Sequence, residues 1–156
     1  MNKIPLHKRI QPEHDEILKG FFERNSRPEV TRLFTAFPLS AKEAERIAHH
    51  SGKDLFFLCH ASALPVGFWM LRGWDEGFSV PSLGLFVDFE HQGRGIGRAI
   101  VREAIQISKN LGCNSVRLSV YPDNKGAIAL YLSEGFEPQE SKDPKKIIMV
   151  KDLSGG

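Results

Sequence analysis

The feature that most constrains this chain is a glycine-spaced turn, His91-Gln92-Gly93-Arg94-Gly95-Ile96-Gly97-Arg98, set between two regular elements. Ahead of it, Ser82-Leu83-Gly84-Leu85-Phe86-Val87 reads as a buried strand, and behind it Ala99 to Leu111 has the apolar spacing of a helix. A strand that turns through glycines straight into a helix commits the chain to an α/β sheet. The turn also gathers free N–H groups and the positive end of a helix dipole at one spot, which suits a phosphate or pyrophosphate. Two common loops of this kind are excluded by spacing. The dinucleotide pattern G-x-G-x-x-G meets Arg98 when counted from Gly93 and Ile100 when counted from Gly95, and a P-loop also fails at Arg98.

What fits is Gln-x-x-Gly-x-Gly, carried by Gln92, Gly95 and Gly97. Downstream, Asn124-x-x-Ala127-x-x-x-Tyr131 is followed by the pair Gly135-Phe136. Asp123 or Asn124 can cap a helix there, Gly135 suits its left-handed end, and Asn124 and Tyr131 lie two turns apart on one face. Both segments resemble signatures of the GNAT superfamily of acyl-CoA-dependent N-acetyltransferases, and the likeness runs in order from about Leu55 to Phe136. The family usually has Pro where Phe89 follows Val87-Asp88.

The resemblance implies an α/β, single-domain GNAT-like fold over residues 1–152, with 153–156 as a short tail. Its sheet is mixed and mostly antiparallel, with one parallel strand pair splayed at the cofactor site and helices on both faces. The co-substrate implied is acetyl-CoA, held by Leu85, Phe86, Val87, Gln92, Gly93, Arg94, Gly95, Ile96, Gly97, Arg98, Asn124, Lys125 and Tyr131. The backbone amide of Phe86 or Val87 would grip the acyl oxygen, and Tyr131 would protonate the leaving thiolate. Gly84, inside an apolar strand, is read as the bulge that splays the pair; close packing against a helix is the simpler alternative.

Transfer to an amine also requires removal of a proton, because an amine with a pKa near 10 is charged at neutral pH. Asp75 and Glu76, in the Arg72–Gly77 turn leading into the cleft strand, are the acids best placed for that work, although turn acids are commonly just solvated. Trp74 suits either a substrate platform or surface packing. Asp88 and His91 read as structural, and His49, His50 and His60 have no ligand spacing. Stretches at Leu71–Gly77 and Val80–Gly84 are similar to family members associated with surface polysaccharides, so a small molecule or amino sugar is the expected acceptor. The rival reading is a non-catalytic acyl-CoA-binding regulatory module of the same fold.

The rest of the chain fits one globular enzyme. It has 156 residues, 41% of them hydrophobic and 26% charged, with a net charge of +2, too small to suggest nucleic acid. Cys59 and Cys113 are lone thiols without metal spacing, so no metal site and no covalent cysteine intermediate is expected. Met1 to Ile10 lacks an apolar signal core and Leu55 to Leu71 is broken by polar residues and Pro65; the expectation is a cytoplasmic protein without a membrane partner, a homodimer being the default assembly. Hydrophobic spacing predicts a strand over 5–10, a helix opened by Pro12 with Ile17, Leu18, Phe21 and Phe22 inward, and an ordered loop over 27–39. It then predicts a helix capped by Ser40 that ends near Gly52. Strands are predicted over 54–60, 66–72, 78–88, 116–120, 136–140 and 146–151. A helix over 95–111 should bury Ile96, Ile100, Ala104, Ile107 and Leu111.

Overall fold

The computed structural model describes residues 5–155; residues 1–4 and 156, which the expected domain and tail include, lie outside them. A seven-stranded sheet runs through the molecule in the order β1-β2-β3-β4-β5-β7-β6. Its strands are β1 (Leu6–Arg9), β2 (Leu55–Ala61), β3 (Leu64–Arg72), β4 (Ser82–Val87), β5 (Ser115–Val120), β6 (Glu137–Gln139) and β7 (Ile147–Asp152). Every neighbouring pair is antiparallel except β4 and β5. The crossover between those two is the helix α4 (Ile96–Asn110), as the strand-loop-helix reading requires.

Two apolar layers cover the sheet. On one face α1 (Asp15–Asn25), α2 (Pro28–Thr31) and α3 (Ala41–Ala48) bury Leu18, Phe21, Phe22, Val30 and Ile47 against Phe56, Phe68, Met70 and Phe86. On the other, α4 and α5 (Lys125–Ser133) bury Ile96, Ile100, Ala104 and Tyr131 against Trp69, Leu71, Val116 and Met149. Leu153, expected in the tail, is buried in this second layer, and its N–H donates to the Asn114 carbonyl at 2.8 Å.

Local chemistry explains the boundaries. Ser40 Oγ accepts from the Glu43 N–H at 3.2 Å and starts α3. Pro12 opens a 3-10 turn that runs into α1, and Ile17 is 48% exposed because the buried face is Leu18, Phe21, Phe22 and Asn25. The 27–39 segment is ordered as expected, with Val30, Phe34 and Leu39 buried. Leu111 is 57% exposed rather than buried, since α4 stops at Asn110 and Gly112 turns the chain at φ +80°. The expected 78–88 strand is shortened to Ser82–Val87 by the tight turn between Gly73 (φ +122°) and Gly77 (φ +92°).

Candidate active site

β4 and β5 meet at a single register pair, Ser82 with Arg117, where the Arg117 N–H donates to the Pro81 carbonyl at 3.0 Å. Beyond that point the strands part. The gap opens into a cavity of about 670 Å³. The expected splay is present, but a bulge at Gly84 does not cause it. β3 and β4 stay in unbroken register from Gly67–Val87 to Arg72–Ser82. A Cβ on Gly84 would lie 2.6 Å from the tip of Met70, so the glycine leaves room for the methionine opposite it on β3, and neither a bulge nor packing against a helix accounts for it.

The register also decides which backbone groups face the gap. The Asp88 N–H donates to the Val66 carbonyl at 2.8 Å, so residues 88, 86, 84 and 82 turn their peptide groups toward β3. By alternation Leu83, Leu85 and Val87 point theirs into the cleft. Phe86 is therefore corrected as an oxyanion donor: its N–H belongs to the β3 ladder and its ring lies among Phe21, Phe34 and Phe68. The N–H groups of Leu85 and Val87 are the ones that face the gap, and Gln92 Nε2 reaches the Val87 carbonyl at 3.5 Å.

At the end of β4 the glycine turn takes the shape its sequence demands. Gly93 (φ +77°) and Gly95 (φ +83°) occupy left-handed conformations, and no side chain caps α4. Among the described residues the N–H groups of Ile96, Gly97 and Arg98 have no acceptor. A Cβ on Gly97 would stand 3.4 Å from Leu130 Cδ2, so the glycine lets α5 approach the loop. Gln92, Gly93, Gly95, Ile96, Gly97 and Arg98 line the cavity; Arg94 and Lys125 do not. Arg98 is itself engaged: it donates to Ser133 Oγ at 2.9 Å and to Glu134 Oε2 at 2.6 Å, and Arg102 donates to Glu134 at 2.8 Å. These arginines, Arg102 foremost, hold the Glu134 carboxyl below its usual range. With Arg98 engaged, what the turn offers an anion is its N–H groups and the positive end of the helix dipole.

α5 supplies the other wall. Asn124 Oδ1 accepts from the Ala127 N–H at 3.4 Å and caps the helix, and two turns later Tyr131 also lines the cavity. Its side chain is mostly buried, and its hydroxyl takes no hydrogen bond from the described residues. Burial pushes the phenol up to about 12, so it stays protonated at neutral pH. A protonated, unengaged hydroxyl on the cavity wall is a competent proton donor.

Asp75 and Glu76 are not brought to this site. Neither lines the cavity. Asp75 accepts from the Lys53 N–H at 2.6 Å and the Asp54 N–H at 3.3 Å, with His50 Nε2 3.0 Å away. The Lys53 N–H above all holds its carboxyl below the usual value, the wrong direction for a base. Trp74 packs on the apolar layer, which settles its reading as packing.

Several lining residues went unread in the sequence. Glu29 contributes the only carboxylate among the described lining residues, and Arg27 Nε donates to it at 2.8 Å. Thr35 and Tyr121 join hydroxyls at 2.8 Å across the cleft, and Lys146 lies over the Tyr121 ring. Arg72, Ser82 and Met70 line the cavity near the start of β4. Asp88 was read as structural, and the structure shows why. Fully buried, it accepts from Arg24 at 2.7 and 3.0 Å, Asn25 at 3.0 Å, His91 at 2.7 Å and the Glu90 N–H at 3.1 Å. Burial alone would raise its carboxyl, but the bonds from Arg24, His91, Asn25 and Glu90 outweigh it and hold it well below the usual range. The knot ties α1 to the exit of β4, so the glycine turn starts from a fixed point.

The sheet is thus split at one parallel pair, with a glycine-rich turn at one end of the gap and a protonated phenol on its wall. The sequence profile of the Acetyltransferase (GNAT) family matches residues 15–136. The chain belongs to this family. Over 93 residues it is 38% identical to an uncharacterized N-acetyltransferase of Methanocaldococcus jannaschii, covering 56% of this chain and 41% of that one. It thus spans about two fifths of that relative's length. The GNAT domain of S. lividans PAT superposes with a TM-score of 0.82 at 19% identity, over 96% of this chain and 90% of that one. AAC(6')-Ib, solved with ribostamycin and coenzyme A, superposes at 0.77 and 16% identity, over 97% and 94% of the two chains. These last two likenesses are of fold. None of the described helices is long and apolar enough to cross a membrane.

Proposed function

We propose that the protein transfers an acetyl group from acetyl-CoA to a primary amine by direct attack. The observation that carries this reading is Tyr131, a protonated hydroxyl with no hydrogen-bond partner among the described residues, on the wall of the cleft whose far rim is the glycine turn. A module that only bound acyl-CoA would have no use for an unengaged acid there.

In this scheme acetyl-CoA supplies the thioester. The N–H groups of Ile96, Gly97 and Arg98 and the dipole of α4 bind its pyrophosphate. The arm then runs down the gap along β4, where the inward N–H groups of Leu85 or Val87 meet the acyl oxygen as it gains charge. The amine forms a C–N bond as the C–S bond breaks. Tyr131 gives its proton to the departing sulfur and is reprotonated from water. The proton lost by the amine passes to water in the cleft, in place of the two turn acids. A small amine or an amino sugar fits the reading as acceptor.

The test is thiol release from acetyl-CoA in the presence of an amine panel, comparing wild type with Tyr131→Phe. Among the described residues the phenol's hydroxyl has no hydrogen-bond partner, so its removal orphans none of them and folding should be unaffected. Loss of a general acid lowers turnover by about 10²–10⁴-fold, equivalent to about 3–5 kcal/mol of barrier. A kcat unchanged in Tyr131→Phe, or no thiol release by wild type with any amine, would overturn the mechanism.

A further inference from the structure

The two ends of the cleft are chemically different, and the end away from the glycine turn carries a guanidinium, Arg72, that no described carboxylate bonds directly, Asp54 and Glu76 acting on it only from further off. Arg72 closes β3 and stands opposite Ser82, at the start of β4. Cross-strand partners share a face, so both side chains lie on the α1–α3 side, where both residues line the cavity. Among the described residues neither side chain makes a hydrogen bond, and the Arg72 guanidinium has no ion pair. The other lining arginine, Arg98, is held by Glu134. Burial pushes the Arg72 guanidinium down from its usual value, yet arginine remains charged throughout the working pH range. Phe37 lies 5.9 Å beneath it, with Arg46 at the same distance from that ring.

Distance separates this cation from the phosphate cradle. β4 runs five residue steps from Ser82 to Val87, and Gly97 stands beside Val87. At about 3.3 Å per step, Arg72 is roughly 17 Å from the turn, too far to share a pyrophosphate bound there. Charge completes the picture. The start of β4 presents Arg72, whereas the one carboxylate among the described lining residues, Glu29, is already engaged by Arg27. A half-buried guanidinium with an adjacent hydroxyl is a fork for carboxylate or phosphate oxygens. The same field disfavours a polycationic amine.

We propose that the acceptor is an amine whose molecule also carries an oxyanion, a carboxylate or a phosphate, and that Arg72 with Ser82 holds that oxyanion while the amine faces the thioester. This rests on the acetyltransferase reading and narrows its substrate class.

The experiment measures thiol release with matched acceptors: L-alanine against L-alaninamide, glucosamine 6-phosphate against glucosamine, and spermidine as a polycation. Thermal stabilisation by each compound in the presence of coenzyme A serves as a second readout. The expected result is a preference of at least about tenfold in kcat/KM for an anionic member over its neutral partner, the pair concerned telling carboxylate from phosphate. Arg72→Gln should erase the preference through KM, leaving kcat within about threefold and acetyl-CoA affinity unchanged, and Arg72→Lys should restore part of it. Preference for the neutral partners or for spermidine, or a preference intact in Arg72→Gln, would overturn the assignment. So would the absence of both turnover and stabilisation with every anionic probe. Failure of acetyl-CoA itself to bind would instead sink the transferase reading, which keeps the two failures apart.

Discussion

Asp88→Asn isolates the knot that fixes the start of the glycine turn. The carboxylate takes five hydrogen bonds on two oxygens: Arg24 Nε and Asn25 on one, Arg24 Nη2, His91 and the Glu90 N–H on the other. An amide at this position has the same shape but turns an NH₂ toward at least two of those donors and removes the charge facing Arg24. Removing one partner of a fully buried ion pair costs about 3–5 kcal/mol. Here Arg24 is 41% exposed and can turn to water, so the expected loss is smaller, about 2–4 kcal/mol. For a chain of this length that corresponds to a drop in Tm of roughly 4–16 °C. Thermal unfolding followed by circular dichroism reads it directly. The pH dependence has a definite sign. Because the folded carboxyl titrates below its unfolded value of about 3.9, its stabilisation is complete above that pH. It is lost as pH falls below, so wild type and Asp88→Asn should differ fully at neutral pH and converge in acid. A Tm within about 1 °C of wild type at pH 7 would show that the knot contributes nothing.

Two further outcomes follow from the same geometry. Gly97→Val should abolish acetyl-CoA binding while the protein still folds, because the added carbons enter the narrow space before Leu130 and Val87; unchanged affinity by calorimetry would remove the turn from the cofactor site. Cys59 is buried and its thiol is pushed up to about 11, whereas Cys113 is half-buried. A maleimide should therefore label Cys113 first and Cys59 only after unfolding, and equal labelling rates in the native protein would contradict the packing of β2.

The parts of this molecule that were legible in advance are those whose chemistry is local. Gly93 and Gly95 announce left-handed turns, Ser40 with Glu43 announces a helix start, and Asn124 and Tyr131 share a face because seven residues are two turns. What stayed hidden is set between elements. Asp75 and Glu76 sit one turn from the cleft strand, but nothing local says that Asp75 would satisfy the Lys53 and Asp54 N–H groups instead. Gly84 signalled a departure from regular strand, yet the cause is the Met70 side chain on the neighbouring strand, which depends on register. Phe86 could not be separated from Leu85 and Val87 until the phase of the β3–β4 ladder was known. Glu29 and Arg72 lie in segments that look like ordinary loop and strand end. That both line one cavity follows only from how the 27–39 segment folds over the sheet.

The most direct measurement is calorimetric titration of the protein with acetyl-CoA, with ATP and NAD as controls. The account predicts binding of acetyl-CoA alone at roughly micromolar affinity, about −8 kcal/mol, with one site per chain. No heat with acetyl-CoA, together with saturable binding of ATP or NAD, would contradict the reading of the glycine turn and of the cleft built upon it.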